Sequence, residues 1–348
     1  MLRKGLIGIA GLLVVGGGLF FFLFKPASEI KARLVLPVAD GSVHQNAVWS
    51  PDGAFILYPD ETGITMVDAT TGGVEKQIHS TTRSVDYIAV SNREVFAAGL
   101  RTYSVSFDDV QRLRIPNIPE DENDISTNTN QVEVNPDQGS FAVIYGRIAK
   151  KAGSLSVYDL AAGTVLFDLT PVPGSVEPIL GMVYSPDGRW LVTTSHDGTA
   201  RIWDAHTGKS IEELKGMSGR KMMDGAFTPD GAVFILANDQ NTATVWDTAT
   251  WTKRRTLTVS EPWQSWVGQR PHSNPRNWIA SVTISPDGTL VAFGSSDAVI
   301  TIWSIRSGRK RYELAGHTDS IKEVAFSPDG QHLLSISFDE TVQVWDLP

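Results

Sequence analysis

Histidine is the first residue type to test for chemistry. The chain has seven: His44, His79, His196, His206, His272, His317 and His332. A local divalent-metal site needs imidazoles at i, i+2 or i, i+4, and no pair here has either spacing. There is no cysteine, which excludes disulfides, thiolate nucleophiles, Cys-built zinc sites and iron–sulfur clusters. Neither H-E-x-x-H nor G-x-S-x-G nor a dinucleotide glycine fingerprint occurs. Gly208-Lys209-Ser210 has the end of a phosphate loop, but Trp203 stands where that loop needs its first glycine. No catalytic residue, cofactor ligand or metal ligand is therefore assigned, and the chain is read as a non-enzyme. An enzyme (hydrolase or lyase) or a small-ligand sensor, its site assembled in a central channel from distant loops, is the alternative.

Residues suited to recognition are easier to find. The stretch 260–277 holds Trp263, Trp266, Arg270, His272 and Arg276, and Trp278 stands at its end. Trp and Arg dominate protein-contact hot spots, so these six are the candidate partner-binding residues. The competing reading folds the indoles back over the scaffold and buries them. Two other long connections stand out: the acidic 116–130, with Glu120-Asp121-Glu122-Asn123-Asp124, and the Pro-rich 171–178. The acidic one lacks the ligand spacing of a calcium loop and reads as solvated. The net charge of −9 and pI of about 5.3 argue against nucleic acid as a partner, since phosphate binding needs concentrated Lys and Arg.

The elements that position these residues come from an internal repeat. Ser-Pro-Asp-Gly stands at Ser50–Gly53, Ser185–Gly188, Ser285–Gly288 and Ser327–Gly330. Thr228–Gly231 is a Thr variant, Asn135–Gly139 a stretched copy and Ser91–Glu94 a degenerate one. The chemistry is that of a tight turn between strands: Pro presets φ, Asp bonds nearby backbone and Gly accepts positive φ. Short apolar strands flank each turn. A third strand ends at Val67-Asp68, Phe107-Asp108, Tyr158-Asp159, Trp203-Asp204, Trp246-Asp247, Trp303-Ser304 or Trp345-Asp346, and a fourth follows. Four strands per period of about 40–45 residues make a propeller blade.

At these residues the chain resembles the WD40-repeat family. The last repeat, from Gly316-His317 through Ser327–Gly330 to Trp345-Asp346, matches the family pattern most fully. The resemblance implies a hydrogen-bonded structural tetrad of His317, Ser335, Asp339 and Trp345. The loop Asp recurs as Asp197 and Asp297, whereas no earlier repeat has the Gly-His pair. The chain stops at Pro348 after a third strand, so Lys31–Leu36 is expected to supply the missing fourth strand and seal the ring, which would otherwise expose an edge. The expected fold class is all-β, a seven-bladed WD40-type β-propeller closed by an N-terminal strand, plus one transmembrane helix.

That helix is read from Leu6–Phe24, 19 residues without charge after a basic start at residues 1–5. A helix of this length spans roughly 28 Å, about one hydrocarbon core. Small residues fit a cleavage site poorly near Ala27-Ser28, so an uncleaved signal-anchor is expected, with residues 25–30 as linker and 31–348 as the propeller. The absence of cysteine and of any N-x-S/T sequon points to a bacterial protein. The combined expectation is a single-pass scaffold subunit of an inner-membrane complex, its propeller on the periplasmic side. Its partners would be other proteins, with the Ser-Pro-Asp-Gly face toward the membrane and the inter-blade face away from it.

Overall fold

A computed structural model describes residues 12–15, 18–21, 30–37, 46–60, 63–79, 85–90, 94–99, 103–106, 113–114, 129–137, 139–145, 155–169, 179–215, 222–259 and 278–348. Their strands form seven four-stranded antiparallel sheets and one separate two-stranded hairpin. Each four-stranded sheet is a chain-order meander. The exception is the last, where Ala32–Pro37 is added beside Thr341–Asp346. Blades are numbered by their innermost strands: Val48–Trp49, Val85–Val90, Thr129–Val134, Ile179–Tyr184, Met222–Phe227, Ile279–Ile284 and Ile321–Phe326.

The turns between first and second strands are built alike. In blade 1, Ser50 Oγ donates to Asp52 Oδ1 (2.6 Å) and accepts from Phe55 N (2.9 Å), while Ala54 N donates to Asp52 (3.0 Å). Ser185, Thr228, Ser285 and Ser327 repeat the hydroxyl–aspartate bond with Asp187, Asp230, Asp287 and Asp329. These bonds favour the ionised carboxyl, so the hydroxyl of Ser50 and the amide of Ala54 hold Asp52 below the usual range. Gly188 takes φ +70° beside the stretched turn of blade 3. A Cβ there would lie 2.3 Å from Asn135 Oδ1, and Asn135 Nδ2 bonds the Gly188 carbonyl across the blades (3.1 Å).

Seven apolar clusters fill the seven junctions between neighbouring sheets. Phe234, Leu236, Val192 and Ile202 join blades 4 and 5; Leu36, Trp49, Ile56, Ile336 and Val342 join blade 7 to blade 1. Burial of these β-branched and aromatic side chains supplies the cohesion, since each sheet alone is too thin to hide its faces. At the closing junction the Trp49 indole donates to the Ala325 carbonyl (3.2 Å). Ala32 pairs with Trp345, Leu34 with Val344 and Leu36 with Val342, and the Arg33 guanidinium bonds Asp346 (3.2 Å) and the Ala69 carbonyl (2.9 Å).

A polar clasp recurs four residues before the turn Ser, Thr or Asn in blades 1, 3, 5 and 6. Asn46 exchanges side-chain hydrogen bonds with the backbone of Ile88, and Gln131 does so with Met182 (2.9 and 3.0 Å). Asp224 accepts from Val282 N (2.7 Å) and Ser281 from Val324 N (3.3 Å). Blade 4 has Gly181 at this position. Thr194 from the next strand takes over, bonding Met223 O (3.2 Å), and a Cβ on Gly181 would crowd that hydroxyl at 3.0 Å. These bonds tie the inner strands of blades 1 and 2, and of blades 3 through 7 in succession.

The composite fold class expected above, a propeller carrying a transmembrane helix, is overturned at the N-terminal segment. Leu12–Val15 pairs antiparallel with Gly18–Phe21, and no helix among the described residues is long and apolar enough to cross a membrane. Hydropathy measures apolarity, not conformation. Gly16-Gly17-Gly18 weakens a helix by about 1 kcal/mol per glycine, and Val14, Val15, Phe20 and Phe21 favour strands. The rest of Leu6–Phe24 lies outside the described residues. The single-pass inner-membrane location, the periplasmic placement and the membrane-facing turn surface fall with the helix.

Candidate interaction face

Meander topology sends the connections of each blade to two opposite faces. The Ser-Pro-Asp-Gly turns and the turns after the third strand share one; second-to-third-strand loops and inter-blade links share the other. Of the six candidate residues, Trp263, Trp266, Arg270, His272 and Arg276 lie outside the described residues. Trp278 is half-buried on the inter-blade face, at the entrance to the inner strand of blade 6.

Trp278 is held at the start of a hydrogen-bonded relay. Its amide donates to Ser296 Oγ (3.0 Å) and its carbonyl accepts from Ser296 N (2.9 Å). The Ser296 carbonyl accepts from Ser320 Oγ (2.9 Å), and the Ser320 carbonyl accepts from Phe338 N (3.0 Å). Ser337 Oγ adds a bond to the Asp319 carbonyl (2.8 Å). Four loop segments of blades 6 and 7 are thus fixed by backbone-directed bonds rather than by long side chains. Phe338, at the far end, is 59% exposed, and Lys322 Nζ sits 4.2 Å from its ring centroid. Partial burial lowers the Lys322 pKa. The cation thus lies over an exposed ring whose backbone is held by the relay. Sequence reading missed Phe338. Its signal was positional, for it stands where blade 6 has Ser296 and blade 4 has His196.

The loops behind this face are braced from within the blades. His317, buried, places Nδ1 2.8 Å from Asp339 Oδ2 and Nε2 2.7 Å from Ser335 Oγ, and the Trp345 indole N–H donates to Ser335 Oγ (2.8 Å). Burial lowers the His317 pKa against the pull of Asp339, which is itself held low, chiefly by bonds from Thr341, Thr318 and His317 that outweigh its burial. Where no His is present the indole finds another hydroxyl: Trp203 uses Thr193 (3.0 Å), Trp246 uses Thr244 (2.8 Å) and Trp303 uses Thr301 (3.0 Å).

A family profile described as "WD domain, G-beta repeat" matches residues 169–204, 268–304 and 308–346. The chain carries WD40 repeats. Its WD40 region is similar to the "Nuclear distribution protein PAC1-2" of Uncinocarpus reesii, 30% identical over 205 residues, covering 57% of this chain and 42% of that protein. It is also similar to the "Periodic tryptophan protein 2 homolog" of Mus musculus, 32% identical over 175 residues (50% of this chain, 17% of that protein). Similarity to the "Transcription initiation factor TFIID subunit 5" of Caenorhabditis elegans is 25% over 196 residues (55% and 26%). The chain thus spans less than half the length of each of these relatives. All three are eukaryotic, so the bacterial-type reading is not supported.

The inner strands carry one more set of perturbed groups that sequence reading missed. Burial drives the Glu133 carboxyl up to about 8 and Asp224 up to about 6, and raises Glu323 well above its usual value. The charge of Asp224 raises Glu133, and Asp224 and Glu133 together raise Glu323. All three are half-buried by surface exposure. Counting back four residues from the turn hydroxyl would have found Asp224 and Glu323. Among the described residues no group of three or more acidic or imidazole side chains is placed to hold a metal ion.

Proposed function

We propose that this chain is a non-catalytic protein-interaction scaffold whose partner docks on the inter-blade face of blades 6 and 7. The observation that carries this reading is the relay from Trp278 to Phe338, which presents an exposed aromatic ring with a cation over it on loops that need no reordering. Aromatic anchors on rigid loops keep the entropic cost of binding low. The stretch 260–277 precedes Trp278 in sequence, and Trp263, Trp266, Arg270, His272 and Arg276 are proposed as further partner contacts on that adjacency alone. The relative named as a TFIID subunit supports a role within an assembly.

Affinity capture of the full chain from its native cells, followed by binding measurements with the purified partner, tests the proposal. Phe338→Ala and Trp278→Ala should each weaken the partner by about tenfold or more. Val74→Ala, at a site 64% exposed on the rim, should not. Equal affinity for all three variants, or substrate turnover by the isolated chain, overturns the proposal.

A further inference from the structure

On the outer rim of blades 5 and 6 the sign of the surface charge reverses. The outer strand Thr252–Thr258 of blade 5 exposes Lys253, Arg254 and Arg255. The last turn and outer strand of blade 6 expose Arg306, Arg309, Lys310 and Arg311. Residues 252–258 and 305–313 thus hold seven cations and a single carboxylate, Glu313, in a chain of net charge −9. Two of the cations are neutralised: Arg254 pairs with Asp247 (2.5 Å) and Lys310 with Glu313 (2.8 Å). Arg255 Nη1 donates to the Arg306 carbonyl (3.2 Å) and ties the two blades into one platform. The side chains of Lys253, Arg306, Arg309 and Arg311 have no ion pair or hydrogen bond among the described residues. An uncompensated cluster of this kind repels itself, and a complementary anion relieves that repulsion.

The shape of the patch selects among anions. Toward the turn face it is bordered by Asp230, Asp247 and Asp287, held ionised largely by bonds from Thr228, Arg254 and Ser285. A nucleic-acid duplex or a lipid surface wide enough to cover the cations would meet those carboxylates as well. A single extended chain would not. Thr252–Thr258 is outermost in its sheet and offers an open backbone edge to such a chain, while the outer strand Lys310–Ala315 of blade 6 is bridged to Ile30 at Leu314. We propose that the rim of blades 5 and 6 binds an extended Asp/Glu-rich segment of a partner protein, at a surface distinct from the Phe338 face.

The test measures fluorescence anisotropy of a labelled glutamate-rich peptide with the full chain, at low and high salt. Binding is expected at low salt and should weaken as salt rises. The triple variant Arg306→Glu, Arg309→Glu, Arg311→Glu should bind about tenfold or more weakly, with an unchanged circular dichroism spectrum. The blade 4 control Lys209→Glu, Lys215→Glu and the variant Phe338→Ala should bind as the parent does. Duplex DNA and phosphatidylserine vesicles serve as rival probes. No peptide binding, an equal loss in the blade 4 control, or tighter binding to either rival probe overturns the proposal.

Discussion

In blade 7 a single imidazole joins three chain segments, and its protonation state follows from its surroundings. His317 is buried between Ser335 and Asp339, and desolvation keeps it neutral below the pH at which a free imidazole would charge. An unfolded chain therefore takes up a proton near the ordinary value of 6.5 that the native chain resists, so this residue makes stability fall as pH drops through that region. Asp339, whose folded pKa is depressed, adds a loss in the same direction at more acid pH. Replacing His317 with Ala should cost about 2–3 kcal/mol at neutral pH, from the cavity and the stranded Ser335 and Asp339 partners. Urea unfolding between pH 7 and 5 should show a flatter profile for the variant; an unchanged slope would sink the assignment. These four residues were legible in sequence because the last repeat is a nearly complete copy. The indole partners of blades 4 to 6 were not. A hydroxyl stands at the Ser335 position only in blade 4, as Thr193, while Leu236 and Phe293 hold that position in blades 5 and 6.

Ala32–Pro37 is an element whose stability is borrowed from a distant part of the chain. Its pairing with Thr341–Asp346 was legible from the residues flanking the repeats, since a last blade of three strands leaves an open ladder and Lys31–Leu36 belongs to no other sheet. Leu36 inserts among Trp49, Ile336 and Val342, so Leu36→Ala should cost about 2–3 kcal/mol. Hydrogen exchange should then quicken first in Ala32–Pro37 and Val48–Trp49, and uniform quickening over all blades would contradict a local closure. Leu6–Phe24 was misread because an apolar run of that length satisfies the span criterion whatever its backbone does. The glycine triplet and the neighbouring valines and phenylalanines carried the contrary signal.

For the molecule as a whole, seven sheets share one axis, and their inner strands crowd Glu133, Asp224 and Glu323 around it. Each has a folded pKa above its ordinary carboxylate value, so the native chain holds protons that the unfolded chain releases. Stability from these groups is present in acid and lost as pH rises through their folded values, from about 6 for Asp224 to about 8 for Glu133. That slope opposes the one set by His317, and the two act over overlapping pH ranges. Glu323→Gln removes the titrating group and should raise Tm at pH 8 relative to the parent, with a smaller gain at pH 5; equal shifts at both would refute a shared electrostatic origin. Asp224 and Glu323 were legible from their place four residues before the turn hydroxyl, but their electrostatic coupling to each other and to Glu133 was not, because the three sit on different blades. Long connections flagged one surface in the sequence, and apart from residues 129 and 130 those connections lie outside the described residues. Phe338 escaped notice because Ile336-Ser337-Phe338 reads as strand interior, and its exposure follows from where the strand ends.

The antiparallel seam has a mechanical corollary. Ala32 lies opposite Trp345 and Pro37 opposite Thr341, so the strand's first residue and the chain's last strand end meet at one corner, where Ile30 also bridges Leu314 of blade 6. Tension applied across those two points peels the ladder open one rung at a time instead of shearing every rung together. The ring is cohesive against swelling from within, yet its fastening yields to a modest tug from that corner, with the remaining six sheets left folded as a split collar.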